Sequence, residues 1–371
     1  MSARLGIVGG GQLGAYLCAA AKDNGIQTAV LTKNPEGLIL DYADQIIDAS
    51  FDDLDAVRQL LHASDVVTFE LEDVPVSTLD LLEAQTDVEV YPRPETMRLL
   101  QNKALQKNWL SNHEFPTSAH IVFDDGLDAA RAISALGPDF VIKTQRGGYD
   151  GLGVKVVRNG VVPDGYATVP TIAEALVNDF EEVAVLVART ADESMMCFPV
   201  FQSNFDDGGN VVRRVFCPAS ISQDDEELAL ELARKVIDTM DGVGLFAVEF
   251  FLTADGLLVN EIAPRVHNVG HMTMESASVS QFEQHVRAVA GLGLAPLAPP
   301  SPAVMDNLLY EESIAKACHE QITLDDVAVH WYGKSAPRPL RKMGHLTAVG
   351  QTLQEAVALA DNALIKLQQR D

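Results

Sequence analysis

The 371-residue chain is 47% hydrophobic and 22% charged, a composition that fits two or three packed domains and excludes a disordered or fibrous protein. Its formal net charge of −26 disfavours a nucleic-acid partner, because nothing offsets repulsion from a phosphate backbone, and no apolar run is long enough to cross a membrane. Cys18, Cys197, Cys217 and Cys318 lack the spacing of a zinc site or disulfide framework, and the opening MSARLGIVGGG leaves no room for a signal peptide, so a cytoplasmic protein is expected.

Residues 4–8 form an apolar strand pattern that runs into Gly9-Gly10-Gly11-Gln12-Leu13-Gly14, a helix to residue 23 and a second strand at 26–31. Gly9, Gly11 and Gly14 keep the spacing of a dinucleotide site. The acid that would hold a ribose after the second strand is missing, since Leu31-Thr32-Lys33 stands there. That weighs against NAD and leaves the loop able to receive another anion, such as a substrate phosphate, at a helix N-terminus. Strands at 43–47, 65–69 and 88–91 with a helix at 54–62 continue the alternation and predict a parallel sheet. Glu70 and Glu72 follow the 65–69 strand, where open parallel sheets bind ligands; they either hold a substrate amine or hydroxyl or are solvated loop acids. Pro92-Arg93-Pro94 marks a boundary.

One helix is read over 95–112, with Lys103 and Lys107 on one face, by itself an ordinary solvated pattern. After a helix at 127–136 and a strand at 140–143 comes a segment with four glycines in seven residues (147, 148, 151 and 153), flanked by Lys143 and Arg146. Such a segment either covers phosphates with backbone N–H groups or makes a glycine-rich hairpin turn, and Lys143 on the preceding strand favours nucleotide phosphates at Gly147, Gly148 and Gly151. Residues 171–179 read as helical or irregular. Strands are expected at 154–157, 183–189 (with Glu182 at its start), 198–204 and 211–216, and an amphipathic helix at 226–240 with Leu228, Leu232, Val236 and Met240 apolar.

The stretch at 242–273 organises the rest. Two apolar strands, 243–252 and 257–262, are joined at Ala254-Asp255-Gly256 and carry Glu249, Glu261 and Asn260. Carboxylates on adjacent apolar strands are costly to desolvate without a cation. Oxygen ligands alone suit Mg²⁺ shared with phosphates, and Arg265, His267 and Asn268 follow at once. A helix at 278–290, a proline-rich linker at 295–302, strands at 304–309 and 328–331, a basic run at 338–346 that suggests an anion site, and a helix at 353–367 complete the chain.

GGGQLG, KTQRGGYDGLG, NEIAPRVHNVGHMT, SQFEQHVRA, HWYGK and RKMGHLT together resemble the ATP-grasp superfamily, and within it the N5-carboxyaminoimidazole ribonucleotide synthase family, over nearly the whole chain. The resemblance implies a three-domain α/β ATP-grasp architecture: a Rossmann-like parallel sheet at 1–100, an ATP-grasp domain at 101–296 and a small C-terminal domain at 297–371. It implies an ATP-dependent ligase that carboxylates aminoimidazole ribonucleotide with bicarbonate, using Mg²⁺, as a homodimer. Carried over by position, Lys103, Lys143, Glu174 and Glu182 bind nucleotide, and Glu249 and Glu261 hold the metal with Asn260 beside them. Tyr149, Asp150, Arg265, His267, Asn268, Arg341 and Lys342 surround bicarbonate and the imidazole substrate, with Gln12, Leu13 and Glu70 on the N-terminal side. Ala15-Tyr16, Leu152, Gln202 and Val269 depart from the family pattern. Those departures keep open a ligase acting on a different amine and, more remotely, a non-catalytic nucleotide-binding relative.

Overall fold

The structure, a computed structural model, describes residues 3–85, 87–147, 153–205, 211–335, 338 and 340–369. The N-terminal strands β1 (Arg4–Val8), β2 (Gln27–Thr32), β3 (Gln45–Asp48), β4 (Val66–Phe69) and β5 (Glu89–Val90) form a parallel sheet in the order β3-β2-β1-β4-β5. Leu5, Ile7 and Val8 of β1 and all four residues of β4 are buried, as parallel strands covered on both faces require. The strand order reverses at β1. The loops after β1 and β4 therefore flank the crevice in which open sheets place their ligands.

Two further sheets follow. The smaller contains β6 (His120–Phe123), β7 (Phe140–Thr144), β8 (Val154–Val157) and β9 (Thr171–Ala175), in the order β6-β9-β7-β8. The larger contains β10 (Glu181–Arg189), β11 (Met195–Cys197), β12 (Phe201–Phe205), β13 (Val212–Cys217), β14 (Gly244–Thr253), β15 (Gly256–Ala263), β16 (Ala303–Leu309), β17 (Ala328–Trp331) and β18 (Lys342–Val349). Its order is β15-β14-β10-β12-β13-β16-β18-β17, with β11 on β10. Strands from beyond the proline-rich linker thus continue the sheet that carries the acidic hairpin, joined through β13 and β16.

Three expectations need correction. Residues 95–112 are two helices, Pro94–Leu100 and Lys103–Asn112, because the Asn102 side chain accepts from the N–H groups of Ala104 and Leu105 and starts a new helix. Residues 171–175 are a strand. Ala-Glu-Ala-Leu favours a helix locally, but pairing with β6 on one side and β7 on the other overrides propensity. The helix Gln223–Thr239 buries Ala229, Ala233, Val236 and Ile237 and leaves Leu228 exposed, since small residues let it approach the sheet closely.

Candidate active site

The β14–β15 hairpin puts Glu249 opposite Glu261. Next to that pair the register shifts, so Phe250 faces Val259 and Asn260 is an extra residue on its strand. A bulge of this kind re-aims side chains. Its effect is visible in the partners: Glu261 accepts from Lys103 Nζ at 3.1 Å, and Asn260 accepts from Lys143 Nζ at 3.2 Å. Consecutive residues thus address one cluster of cations.

Those cations come from elements far apart in sequence. Lys143 is the last residue but one of β7 and lies 2.9 Å from one oxygen of Glu174, while Lys107 lies 3.1 Å from the other. Ser118 Oγ also donates to Glu174 at 2.8 Å. Lys107, expected on a solvated face, is only 2% exposed, and Glu174 is 3% exposed. Lys107 donates further to Thr117, Ser118 and the Val259 carbonyl. Burial disfavours the Glu174 charge, but two ammonium groups overcome it and hold the carboxyl down at about 2. Each lysine has only half a carboxylate in return. Burial therefore lowers Lys107 to about 8, while Lys143, with Glu261 and Glu249 also near, stays above the ordinary lysine value.

The cations around Glu249 do not overcome its burial. Burial and then the neighbouring Glu261 push its carboxyl up to about 7. Burial and then Glu249 raise Glu182 well above its ordinary value from the adjoining strand β10. Burial also works against the Glu261 charge, yet Lys103 and Lys143 keep its pKa below the usual carboxylate value. Two half-buried carboxylates on facing strands, one of them raised, beside an amide oxygen fit Mg²⁺ completed by phosphate oxygens. Among the described residues no three His, Cys, Asp or Glu side chains form a group able to hold a metal. Gly147 has the positive φ of 70° that suits glycine. Gly148, Tyr149, Asp150, Gly151 and Leu152 lie outside the described residues.

Past the hairpin, Arg265 is ion-paired with Glu72, and burial and that partner act oppositely on its charge, the partner prevailing. His267 Nε2 is 3.2 Å from Glu249 Oε1. Burial, then Arg265 and Lys342, push the His267 pKa well down, so the ring is neutral. Asn268 and Asn307 exchange amide hydrogen bonds of 2.9 and 2.8 Å, tying the site to β16. Lys342 opens β18. Arg341, just before it, lies 3.0 Å from Glu36 in the N-terminal unit.

The loop after β1 takes its anion from within the chain. Both Glu70 oxygens accept backbone N–H groups, from Gly11 and Gly14, each at 2.8 Å. A Cβ on Gly14 would come 2.7 Å from the Gly9 carbonyl oxygen, which explains that glycine without a dinucleotide. The anion seat expected for a substrate phosphate at this helix N-terminus is filled by Glu70, whose carboxyl is raised by burial. Gln12 and Leu13 begin the helix Gln12–Asp23 on the same loop.

Two departures from the family pattern resolve here. Ala15 and Val269 are 0% and 1% exposed and belong to one core cluster, so they do not line the cleft. Glu36, Asn307 and Gln281 escaped the sequence reading as site-supporting groups. Only Gln281 had left a signal, as part of SQFEQHVRA.

Residues 2–101 match the family model of the ribonucleotide synthetase preATP-grasp domain, residues 108–282 that of the ATP-grasp domain, and residues 303–358 that of the phosphoribosylaminoimidazole carboxylase C-terminal domain. The N5-carboxyaminoimidazole ribonucleotide synthase of Brucella melitensis is 37% identical over 355 residues, which cover 93% of this chain and 96% of the relative. The carboxyaminoimidazole ribonucleotide synthase of Aspergillus clavatus complexed with ATP superposes with a TM-score of 0.90 at 31% identity, covering 100% of this chain and 99% of the other. The Aspergillus clavatus structure in complex with ADP and 5-aminoimidazole ribonucleotide gives 0.88 at 30% identity, with 99% and 98% covered.

Proposed function

This chain belongs to the N5-carboxyaminoimidazole ribonucleotide synthase family, and from that premise we propose how its residues divide the work of ATP-dependent carboxylation of 5-aminoimidazole ribonucleotide. The observation that carries the assignment is the bulged hairpin, whose Glu249, Asn260 and Glu261 face Lys103 and Lys143 on one side and His267 on the other. Lys103 and Lys143 receive the nucleotide phosphates, with Gly147, Gly148 and Gly151 in the covering loop and Glu182 beside the nucleotide. Glu174, itself held by Lys107 and Ser118, holds Lys143 in place. Mg²⁺ held by Glu249, Glu261 and Asn260 together with phosphate oxygens would offset charge as it develops on the transferred phosphoryl group.

Bicarbonate oxygen attacks the terminal phosphorus and the bond to ADP breaks, leaving carboxyphosphate. Its C–O bond then breaks to give CO₂ and phosphate. The exocyclic amine of the imidazole substrate adds to CO₂, and the proton it loses passes to that phosphate. Arg265, fixed by Glu72, and neutral His267 hold carboxyphosphate, with Tyr149 and Asp150 on the loop above. Gln12, Leu13, Asn268, Arg341 and Lys342 bind the imidazole ribonucleotide, while Glu70 shapes the loop from which Gln12 and Leu13 project. Excluding water from this cleft keeps carboxyphosphate from hydrolysing. We assign residues 1–100, 101–296 and 297–371 as the three domains of a cytoplasmic homodimer, the last point open to sedimentation equilibrium.

The test is ADP release from ATP, Mg²⁺ and bicarbonate with and without 5-aminoimidazole ribonucleotide. Release that depends on that acceptor, with carboxylated product in equal amount, is expected. ADP release that ignores the acceptor overturns the reading.

A further inference from the structure

Ser280 caps the helix Gln281–Val289, and its hydroxyl accepts from the Glu283 N–H. That start places Gln281 inside the molecule, fully buried, facing the segment that carries His267. Gln281 Oε1 accepts from the His267 N–H at 2.8 Å, and Gln281 Nε2 donates to the His267 carbonyl at 2.7 Å. Its own N–H donates to Thr273 Oγ1 at 2.9 Å. One amide side chain thus satisfies both main-chain groups of a single residue, as a neighbouring strand would.

The same contacts settle protonation nearby. A backbone N–H only donates and a carbonyl only accepts, so they fix which end of the Gln281 amide is oxygen. The nitrogen then turns its second hydrogen toward His271 Nδ1, 3.2 Å away. His271 Nδ1 must accept, which leaves the His271 proton on Nε2 and the ring neutral. Burial, pressing the His271 pKa well below its ordinary value, acts in the same direction.

We propose that Gln281 is a positioning residue for carboxylation: it holds His267 at the distance from Glu249 at which the intermediate is kept and passed to the amine. The proposal rests on the roles given above to His267 and Glu249. A displacement of about 1 Å at a reacting centre can cost roughly a hundredfold. ATP binding uses Lys103 and Lys143, which Gln281 does not touch. Loss of the clamp therefore raises the share of carboxyphosphate that water cleaves to bicarbonate and phosphate, and leaves nucleotide affinity alone.

Gln281→Glu and Gln281→Met separate this role from plain structural support. A protonated glutamic acid has one donor and one acceptor and can rebuild both bonds to His267. An ionised one accepts only, and it faces the His267 carbonyl oxygen. The groups around position 281 are His267 and His271 in contact, Glu249, Arg265 and Lys342 beyond His267, and Tyr16, Tyr332 and His345 against the His271 ring, with His330 and Lys334 beyond it. Product formed per ADP released, relative to wild type at each pH, should fall several-fold in Gln281→Glu as pH rises and recover toward acid pH. Gln281→Met should stay low at every pH, with the KM for ATP within about twofold of wild type. Hydrogen exchange at the His267 amide, faster in Gln281→Met, which offers that N–H no acceptor, reads the clamp without any substrate. One-to-one stoichiometry in both variants, or equal pH-independent losses in the two, overturns the proposal. A wild-type enzyme that makes no carboxylated imidazole would instead overturn the reading on which it rests.

Discussion

Replacing Glu174 by Gln removes one negative charge from a buried group of three and changes little in volume. In the folded protein burial opposes the carboxylate, but Lys143 and Lys107 bring its pKa from 4.5 to about 2. That difference corresponds to about 3 kcal/mol of stability at pH 7. The depressed pKa sets the sign: the contribution is fully present above about pH 4.5 and is lost as pH falls toward 2. The variant also leaves two ammonium groups side by side in a dry site, and breaking a buried pair typically costs about 3–5 kcal/mol. Urea unfolding followed by tryptophan fluorescence is a direct assay, since Trp109 lies on the helix Lys103–Asn112 that carries Lys107. Glu174→Gln should be less stable by about 3 kcal/mol at pH 7, and the gap should narrow between pH 4.5 and pH 2. Adding Lys107→Met should recover at least about 1 kcal/mol, because the two sites share partners. A gap under about 1 kcal/mol at pH 7, or one that ignores acid, would refute the shared-carboxylate arrangement.

Glu261→Gln should lower turnover by at least about a hundredfold at saturating Mg²⁺ with the melting transition retained; near-normal turnover removes the metal assignment. Because burial and Glu261 outweigh Arg265, Lys143 and Lys103 and push the Glu249 carboxyl up to about 7, Mg²⁺ must displace its proton below that pH. Calorimetry in the presence of ADP should find Mg²⁺ bound roughly tenfold more weakly at pH 6 than at pH 8, and equal affinities would rule out the coupled carboxylate pair. Lys143→Ala should weaken ATP binding and slow turnover together, since the proposed role of that lysine is to meet phosphate in ground and transition states alike. His267→Ala should keep ATP affinity and release ADP faster than carboxylated product. A one-to-one ratio in that variant would make His267 structural.

Periodicity and turn chemistry were enough to predict the parallel N-terminal sheet and the hairpin with Glu249 and Glu261. Both are local patterns: an apolar run, a Gly-containing turn, an acid where none should be buried. Oxygen-only ligands on that hairpin likewise pointed to a hard cation and phosphate from residue chemistry alone. The sequence could not show that Asn260 is the extra residue of a bulge, because a bulge exists only relative to a partner strand. Nor could it show that Lys107 is buried. Its helical neighbours describe a solvated face, and only β9, packed from some seventy residues further along, brings Glu174 against it. Residues 171–175 show the same limit, as the local preference for helix yields to two neighbouring strands. The glycine loop after β1 was legible as an anion seat, but its occupant, Glu70, was decided by the strand order that puts β4 beside β1. Local free energies choose turns, caps and strands within a few residues. Which charge meets which depends on elements brought together by burying the whole core, and that only the tertiary structure decides.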